Sequence, residues 1–234
     1  MEARITAVSH PEALRYLGVR GEAPPELLAA LPPLEKELLS VVRPRAVWRI
    51  FSLLPDGTLE GTAFRPEGQD LKKLFAGCGR AVLLAATLGA GADDLIRRRQ
   101  SRDMASAVIL DALCGAAIEN VCDNLCEDLA EALSPARLTP RFSPGYGDCP
   151  LSQQAALCGV LNAERRIGLT LTPGGLLLPQ KSVTAVIGVS DAPAARGRDS
   201  AEDSPGSGAP GGCASCSMYA HCSFRREGSS CGKP

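Results

Sequence analysis

Two groups of residues in this chain have the types and spacing to do chemistry. The first is the run Arg141-Phe142-Ser143-Pro144-Gly145-Tyr146-Gly147-Asp148-Cys149-Pro150. Arginine offers a rigid fork of donors that matches a carboxylate or phosphate, and tyrosine a flat face with a polar tip. Proline fixes φ, and glycine lets a neighbouring molecule approach the backbone. Such a loop suits a small ligand carrying an anionic group and an aromatic ring. By residue type alone it also suits a plain connector whose arginine faces solvent. The second group is Cys213, Cys216, Cys222 and Cys231, spaced C-x2-C-x5-C-x8-C. A segment this short has no core of its own and needs a staple. Four thiolates around a zinc ion or an iron–sulfur cluster would supply one, and His221 could replace one of them. The spacing fits no ferredoxin pattern, and Ser217 stands where a zinc knuckle often has glycine. The alternative is a tail of free cysteines. No catalytic acid, base or nucleophile stands out.

These groups need a body to hold them. At 234 residues, 45% of them hydrophobic and 22% charged, the chain is long and apolar enough for one sizeable core with a small module appended. The net charge of −1 provides no field to attract nucleic acid or an anionic membrane surface. The cluster Arg97-Arg98-Arg99 with Arg102 follows Asp93 and Asp94 and reads as a solvated, salt-bridged helix face. No run reaches the ~18 apolar residues of a spanning helix, and Met1 to Thr6 has no apolar signal core. A cytoplasmic location is therefore expected. There, ten cysteines point to metal or redox chemistry before disulfides.

Helical spacing predicts a short helix from Pro11 to Leu17, closed by Gly18 and Gly21. A second helical stretch runs from about Pro25 to Leu39, interrupted at Pro32-Pro33 into two pieces. Val47 to Leu54 and Thr58 to Phe64, joined by Pro55-Asp56-Gly57, read as a hairpin. Arg80 to Leu88 reads as a buried strand. Gly89-Ala90-Gly91 then mimics a dinucleotide loop, but Asp93 and Asp94 would repel a pyrophosphate, so a plain helix start is expected. Asp103 to Leu133 is the longest helical segment, with small residues in its first half where something must pack closely. Cys78, Cys114, Cys122, Cys126 and Cys158 read as core filler. Gln153 to Ile167 reads as a helix, Thr172 to Gly175 as a turn and Val183 to Val189 as a strand. Residues 192–212 have no Val, Ile, Leu, Met or aromatic residue and read as a flexible linker.

The pattern Arg-x-x-x-Gly-Tyr-x-x-Cys-Pro at Arg141 to Pro150 resembles the signature loop of the activation (reactivation) domain of cobalamin-dependent methionine synthase. Leu178-Pro-Gln-Lys-Ser-Val-Thr-Ala-Val-Ile-Gly188 resembles that family's second signature, and Leu14 to Gly21 the N-terminal segment of its free-standing members. The resemblance covers about residues 10–190. It implies an α+β fold, a twisted antiparallel sheet with flanking helices, to which the small tethered cysteine-rich tail is added. It also implies S-adenosylmethionine as ligand: Arg141 on the methionine carboxylate, with Ser143, Gly145 and Tyr146 along the adenosine and sulfonium. Cys149 and Pro150 would shape the loop. The chain departs from the pattern at Val186 and Ile187, where the family carries aromatic residues, one of them touching the ligand.

In that family an electron and a methyl group from S-adenosylmethionine return cob(II)alamin to methylcobalamin. Cobalamin carriers of the system use an Asp-x-His-x-x-Gly loop, and here only His10 and His221 occur, neither in that context. The resemblance thus implies an activation subunit serving a cobalamin-binding methionine synthase core or another corrinoid protein. An electron-donor protein, or the cysteine module if it holds an iron–sulfur cluster, would supply the electron. The expected division is an activation-like domain over 1–190, a linker over 191–212 and a metal or cluster module over 213–234. The competing reading is a redox or zinc adaptor that recruits a corrinoid partner without binding S-adenosylmethionine. An independent methyltransferase is disfavoured by the lack of a glycine-rich methyltransferase loop.

Overall fold

A computed structural model of the chain describes residues 3–62 and 64–191. The linker over 192–212 and the four cysteines Cys213, Cys216, Cys222 and Cys231 lie outside the described residues. In chain order the elements are α1 (His10–Tyr16), α2 (Pro25–Val41), β1 (Arg45–Ser52), α3 (Gln69–Leu74), β2 (Arg80–Thr87), α4 (Ala90–Gln100), α5 (Met104–Ala132) and β3 (Arg137–Leu138). They continue as α6 (Gln153–Leu161), α7 (Ala163–Ile167), β4 (Thr170–Leu171), β5 (Leu177–Leu178) and β6 (Ser182–Ser190).

Four strands form one antiparallel sheet in the order β1-β2-β6-β3. The sheet is covered on both faces, which is why β2 and β6 read as continuous apolar runs rather than alternating ones. On one side Leu84, Ala86 and Leu88 pack under α2, α4 and α5. On the other, Ala81, Leu83 and Ala85 pack with Phe64, Leu71, Leu157, Leu161 and Ile167 beneath α3, α6 and α7. The α+β architecture expected from the sequence is the one observed.

The long helix α5 is the spine of the first layer. Asp103 caps it, its side chain accepting from Ser106 N at 3.1 Å. By length and apolar content α5 would cross a bilayer, yet here it packs against α1, α2 and α4. Its small residues do admit a close neighbour: a Cβ added at Gly115 would lie 3.1 Å from the Tyr16 ring of α1. The Gly89-x-Gly91 turn is likewise a packing device. Gly91 lies so close to α2 that a Cβ there would stand 2.4 Å from the Val41 carbonyl oxygen. Asp93 accepts from the Gln180 backbone N–H at 2.7 Å. On α4, Arg97 pairs with Asp94 and Arg99 with Glu37, as a salt-bridged face should.

Three expectations need correction. The helix over 25–41 is continuous through Pro32 and Pro33. Their missing N–H groups strand the carbonyls of Leu28 and Ala29, but both belong to exposed residues, where solvent can stand in for the lost bonds. Buried Leu31, Leu34 and Leu38 hold the inner face straight through. The hairpin after β1 forms only at its tip: Leu54 N donates to Thr58 O at 2.9 Å and Glu60 N to Ser52 O at 3.0 Å around the Leu53–Leu59 bridge, and the return run then leaves the strand. Gly61, at φ +70°, breaks the return run, whereas the eight residues of β2 pair along the whole of β1. Lastly, Gln153 to Ile167 is two helices, because Asn162 adopts a left-handed conformation between α6 and α7.

Candidate ligand-binding cleft

Beyond β3 the chain stays on β6 for one more pairing. Phe142 exchanges both backbone hydrogen bonds with Val186, at 3.0 and 2.8 Å. It then lifts away as the Ser143–Pro150 loop. Two residues back along β6, Thr184 aims its N–H and C=O the same way as Val186, because strand direction repeats every second residue. The gap between the departing loop, β6 and the second half of α5 is a cleft of about 880 Å³. Arg141, Ser143, Tyr146, Ser182, Val183 and Thr184 all line it, so both sequence signatures meet there.

Arg141 sits at the inner end, its side chain only 18% exposed. Its Nη2 donates to Glu119 Oε2 at 2.7 Å, and its Nη1 to Asp123 Oδ1 at 2.8 Å and Cys126 Sγ at 3.5 Å. Among the described residues these bonds engage three of the five guanidinium N–H groups, leaving the Nε–H and one Nη2–H. Burial opposes the charge on Arg141. The bonds to Cys126 and Asp123 outweigh that and hold its pKa above the ordinary value. Deeper in, burial pushes the Cys122 thiol up to about 12, so it is uncharged at neutral pH. Cys126 packs against the core cluster of Val82, Leu129, Ile187 and Val189, as its spacing from Cys122 suggests, but it is only half-buried and also lines the cleft.

The loop is built largely from its own backbone. Gly145 N donates to Cys149 O at 3.0 Å, Tyr146 N to Ser143 O at 3.3 Å and Cys149 N to Tyr146 O at 3.1 Å. Gly145 therefore shapes the turn and does not line the cleft, while the Tyr146 ring stands 70% exposed at the mouth. Buried Cys149 anchors the base of the loop. Asp148 fastens the loop from outside, accepting from Gln69 N at 2.6 Å and Asp70 N at 3.1 Å at the start of α3. Those amides hold its carboxyl below the usual range. Gly68 must be glycine for this, being at φ +102° with a would-be Cβ 2.5 Å from Asp148 Oδ1. Gln154 of α6 closes the opposite wall, donating to Gly175 O at 2.6 Å and accepting from Thr184 Oγ1 at 3.2 Å.

The sequence reading did not single out Glu119, Asp123, Cys126 or Gln154 as cleft residues. The first three recur at i, i+4 and i+7 on α5, which puts them on one helix face. That polar stripe in an apolar helix was the available signal. Asn120, Asn124 and Asp128 form a neighbouring stripe that binds the N-terminal arm, through Thr6, the Arg4 carbonyl and the Arg4 side chain. Val186 and Ile187, the positions of departure, are buried in the sheet and do not line the cleft.

No protein-family model matches the chain, and no curated protein matches it. Among solved structures it is similar to the crystal structure of the MetH reactivation domain bound to AdoHcy. The TM-score is 0.53 at 18% identity, over 75% of this chain and 71% of that one. At that identity the likeness is one of fold: the chain is built on the architecture of that reactivation domain.

Proposed function

We propose that the chain is an S-adenosylmethionine-binding activation subunit that supports reductive methylation of cob(II)alamin to methylcobalamin on a separate corrinoid protein. One observation carries the reading: Arg141, Ser143 and Tyr146 of the first signature and Ser182, Val183 and Thr184 of the second line a single cleft. A volume of about 880 Å³ accommodates a nucleoside with an amino-acid tail. Arg141 keeps donors for the ligand carboxylate, Glu119 and Asp123 face its ammonium, and the exposed Tyr146 ring is free to stack. The bound nucleoside supplies the methyl group; this chain's part is to orient it toward the mouth.

The corrinoid belongs to the partner. Among the described residues the single histidine, His10, is engaged with Glu35 at 2.6 Å. In the same reading residues 1–190 are the binding domain, 191–212 a linker, and 213–234 a module whose four cysteines hold zinc or an iron–sulfur cluster. A cluster would serve as an electron relay; zinc would leave the electron to a donor protein.

Calorimetric titration of S-adenosylmethionine into protein purified without oxygen tests the site. Arg141→Ala is expected to weaken binding at least about tenfold, roughly 1.4 kcal/mol or more. Equal affinity in the two proteins sinks the assignment of Arg141, and no binding to either the chain or its complex with a corrinoid protein sinks the reading.

A further inference from the structure

One wall of the cleft is bare backbone. In an antiparallel sheet the N–H and C=O of successive residues point alternately to the two neighbouring strands. On β6, Val186 and Gly188 face the β3 side: Val186 exchanges both bonds with Phe142, and the Gly188 carbonyl accepts from Thr139 N at 2.9 Å. Ser182 and Thr184 share that direction. The register that sets Phe142 against Val186 would set Pro144 against Thr184, but proline has no N–H to give, and the chain lifts away there. Among the described residues, neither the Ser182 carbonyl nor the Thr184 N–H and carbonyl has a hydrogen-bond partner. Thr184 is only 1% exposed, and a buried backbone pair left open is a cost that a bound group removes. Its side chain is already committed to Gln154 at 3.2 Å. The open groups run carbonyl, N–H, carbonyl along the strand, and Phe142, Leu177 and Val183 add apolar surface to the same cleft.

We infer that this open edge of β6 reads the base of the ligand and selects a 6-aminopurine: the Ser182 carbonyl accepts from the exocyclic amino group, and the Thr184 N–H donates to the adjacent ring nitrogen. The inference rests on the reading above. Arg141, Glu119 and Asp123 supply the charged contacts of the cleft and suit the amino-acid end of the ligand. The base is the other end, and its edge carries a donor and an acceptor fixed side by side. Ribose hydroxyls rotate to suit either kind of partner. A strand backbone cannot rotate, so it also rejects. A 6-oxopurine presents an acceptor to the carbonyl and a donor to the N–H, which opposes both contacts. The Ser182 hydroxyl does not blur this, being held by Thr87 Oγ1 at 2.8 Å and the Pro179 carbonyl at 2.7 Å.

Calorimetry on the full-length chain compares S-adenosylmethionine with its 6-oxopurine and 7-deaza analogues. The 6-oxopurine is expected to bind at least about thirtyfold more weakly, and the 7-deaza analogue, altered on the other edge of the base, within about threefold. Amide exchange followed by NMR locates the contact. Saturation with S-adenosylmethionine is expected to slow Thr184 about tenfold or more relative to Val186, whose N–H is bonded to Phe142 with or without ligand. Equal affinity for the amino- and oxopurines, a loss as large with the 7-deaza analogue, or an unchanged ratio of Thr184 to Val186 exchange overturns the inference and leaves the binding reading intact. Binding of none of the three probes, to the chain or to its complex with a corrinoid protein, removes that reading and this inference together.

Discussion

Asp148 shows how single residues set the cleft. It lies in the signature loop, yet its carboxylate belongs to α3, whose first amides it caps in place of the absent side-chain cap at Gly68. Because those amides stabilise the charged form, its folded pKa lies below the unfolded value of roughly 3.9. Such a group stabilises the fold above the unfolded pKa, and the contribution is lost as pH falls through the folded one. Asp148→Asn is therefore expected to lower the melting temperature at neutral pH, with the gap to the native chain closing below about pH 4. Paired thermal melts from pH 7 to pH 3 measure it, since the other carboxylates are common to both chains; a gap constant with pH would refute the cap. The arginine of the loop was legible from its motif. Its partners were not: Glu119 and Asp123 lie 22 and 18 residues earlier, and only the packing of β3 and the loop beside α5 brings them to the guanidinium.

Elements were legible where one local pattern ruled. β2 is an uninterrupted apolar run and α5 a capped, periodic one, and both fold as their patterns say. Reading failed where burial overrode propensity. Two consecutive prolines do not break α2, because its inner stripe is buried and the stranded carbonyls belong to exposed residues. The Thr58–Phe64 run leaves β1 after one bridge, at Gly61 with its φ of +70°, and the full-length partner of β1 is β2, a long-range pairing that no local signal records. The α2–α4 contact gives a test of such packing. Glycine to alanine inside a helix ordinarily stabilises, by up to about 1 kcal/mol. At Gly91 the new methyl would meet the Val41 carbonyl, so the sign should reverse. Gly91→Ala is expected to cost roughly 1–3 kcal/mol, seen as a shift of the denaturation midpoint with unchanged slope. A neutral or stabilising result would mean that the helices separate freely there.

At the scale of the whole molecule, the two signatures are about forty residues apart in the chain and adjacent in space because β6 lies inside the sheet and the segment after β3 runs beside it. The tail is a separate question. Its cysteine spacing predicts one bound metal or cluster per chain, with Cys213→Ser and Cys216→Ser each abolishing it. Metal and acid-labile sulfide analysis of protein isolated without oxygen decides the matter. Iron with sulfide supports the relay, zinc alone removes it, and a metal-free native tail removes the module. The sheet order carries one more consequence. Among the described residues β1 stands at the margin of the sheet, and an open strand edge is a template on which another copy can zip. Arg45 and Arg49 are exposed on that strand, Arg49 lying 5.0 Å over the Phe51 ring and reaching the Val160 carbonyl. A like strand approaching would set guanidinium against guanidinium. Charge on such a strand is one of the ways by which an open sheet edge is kept from pairing with a copy of itself.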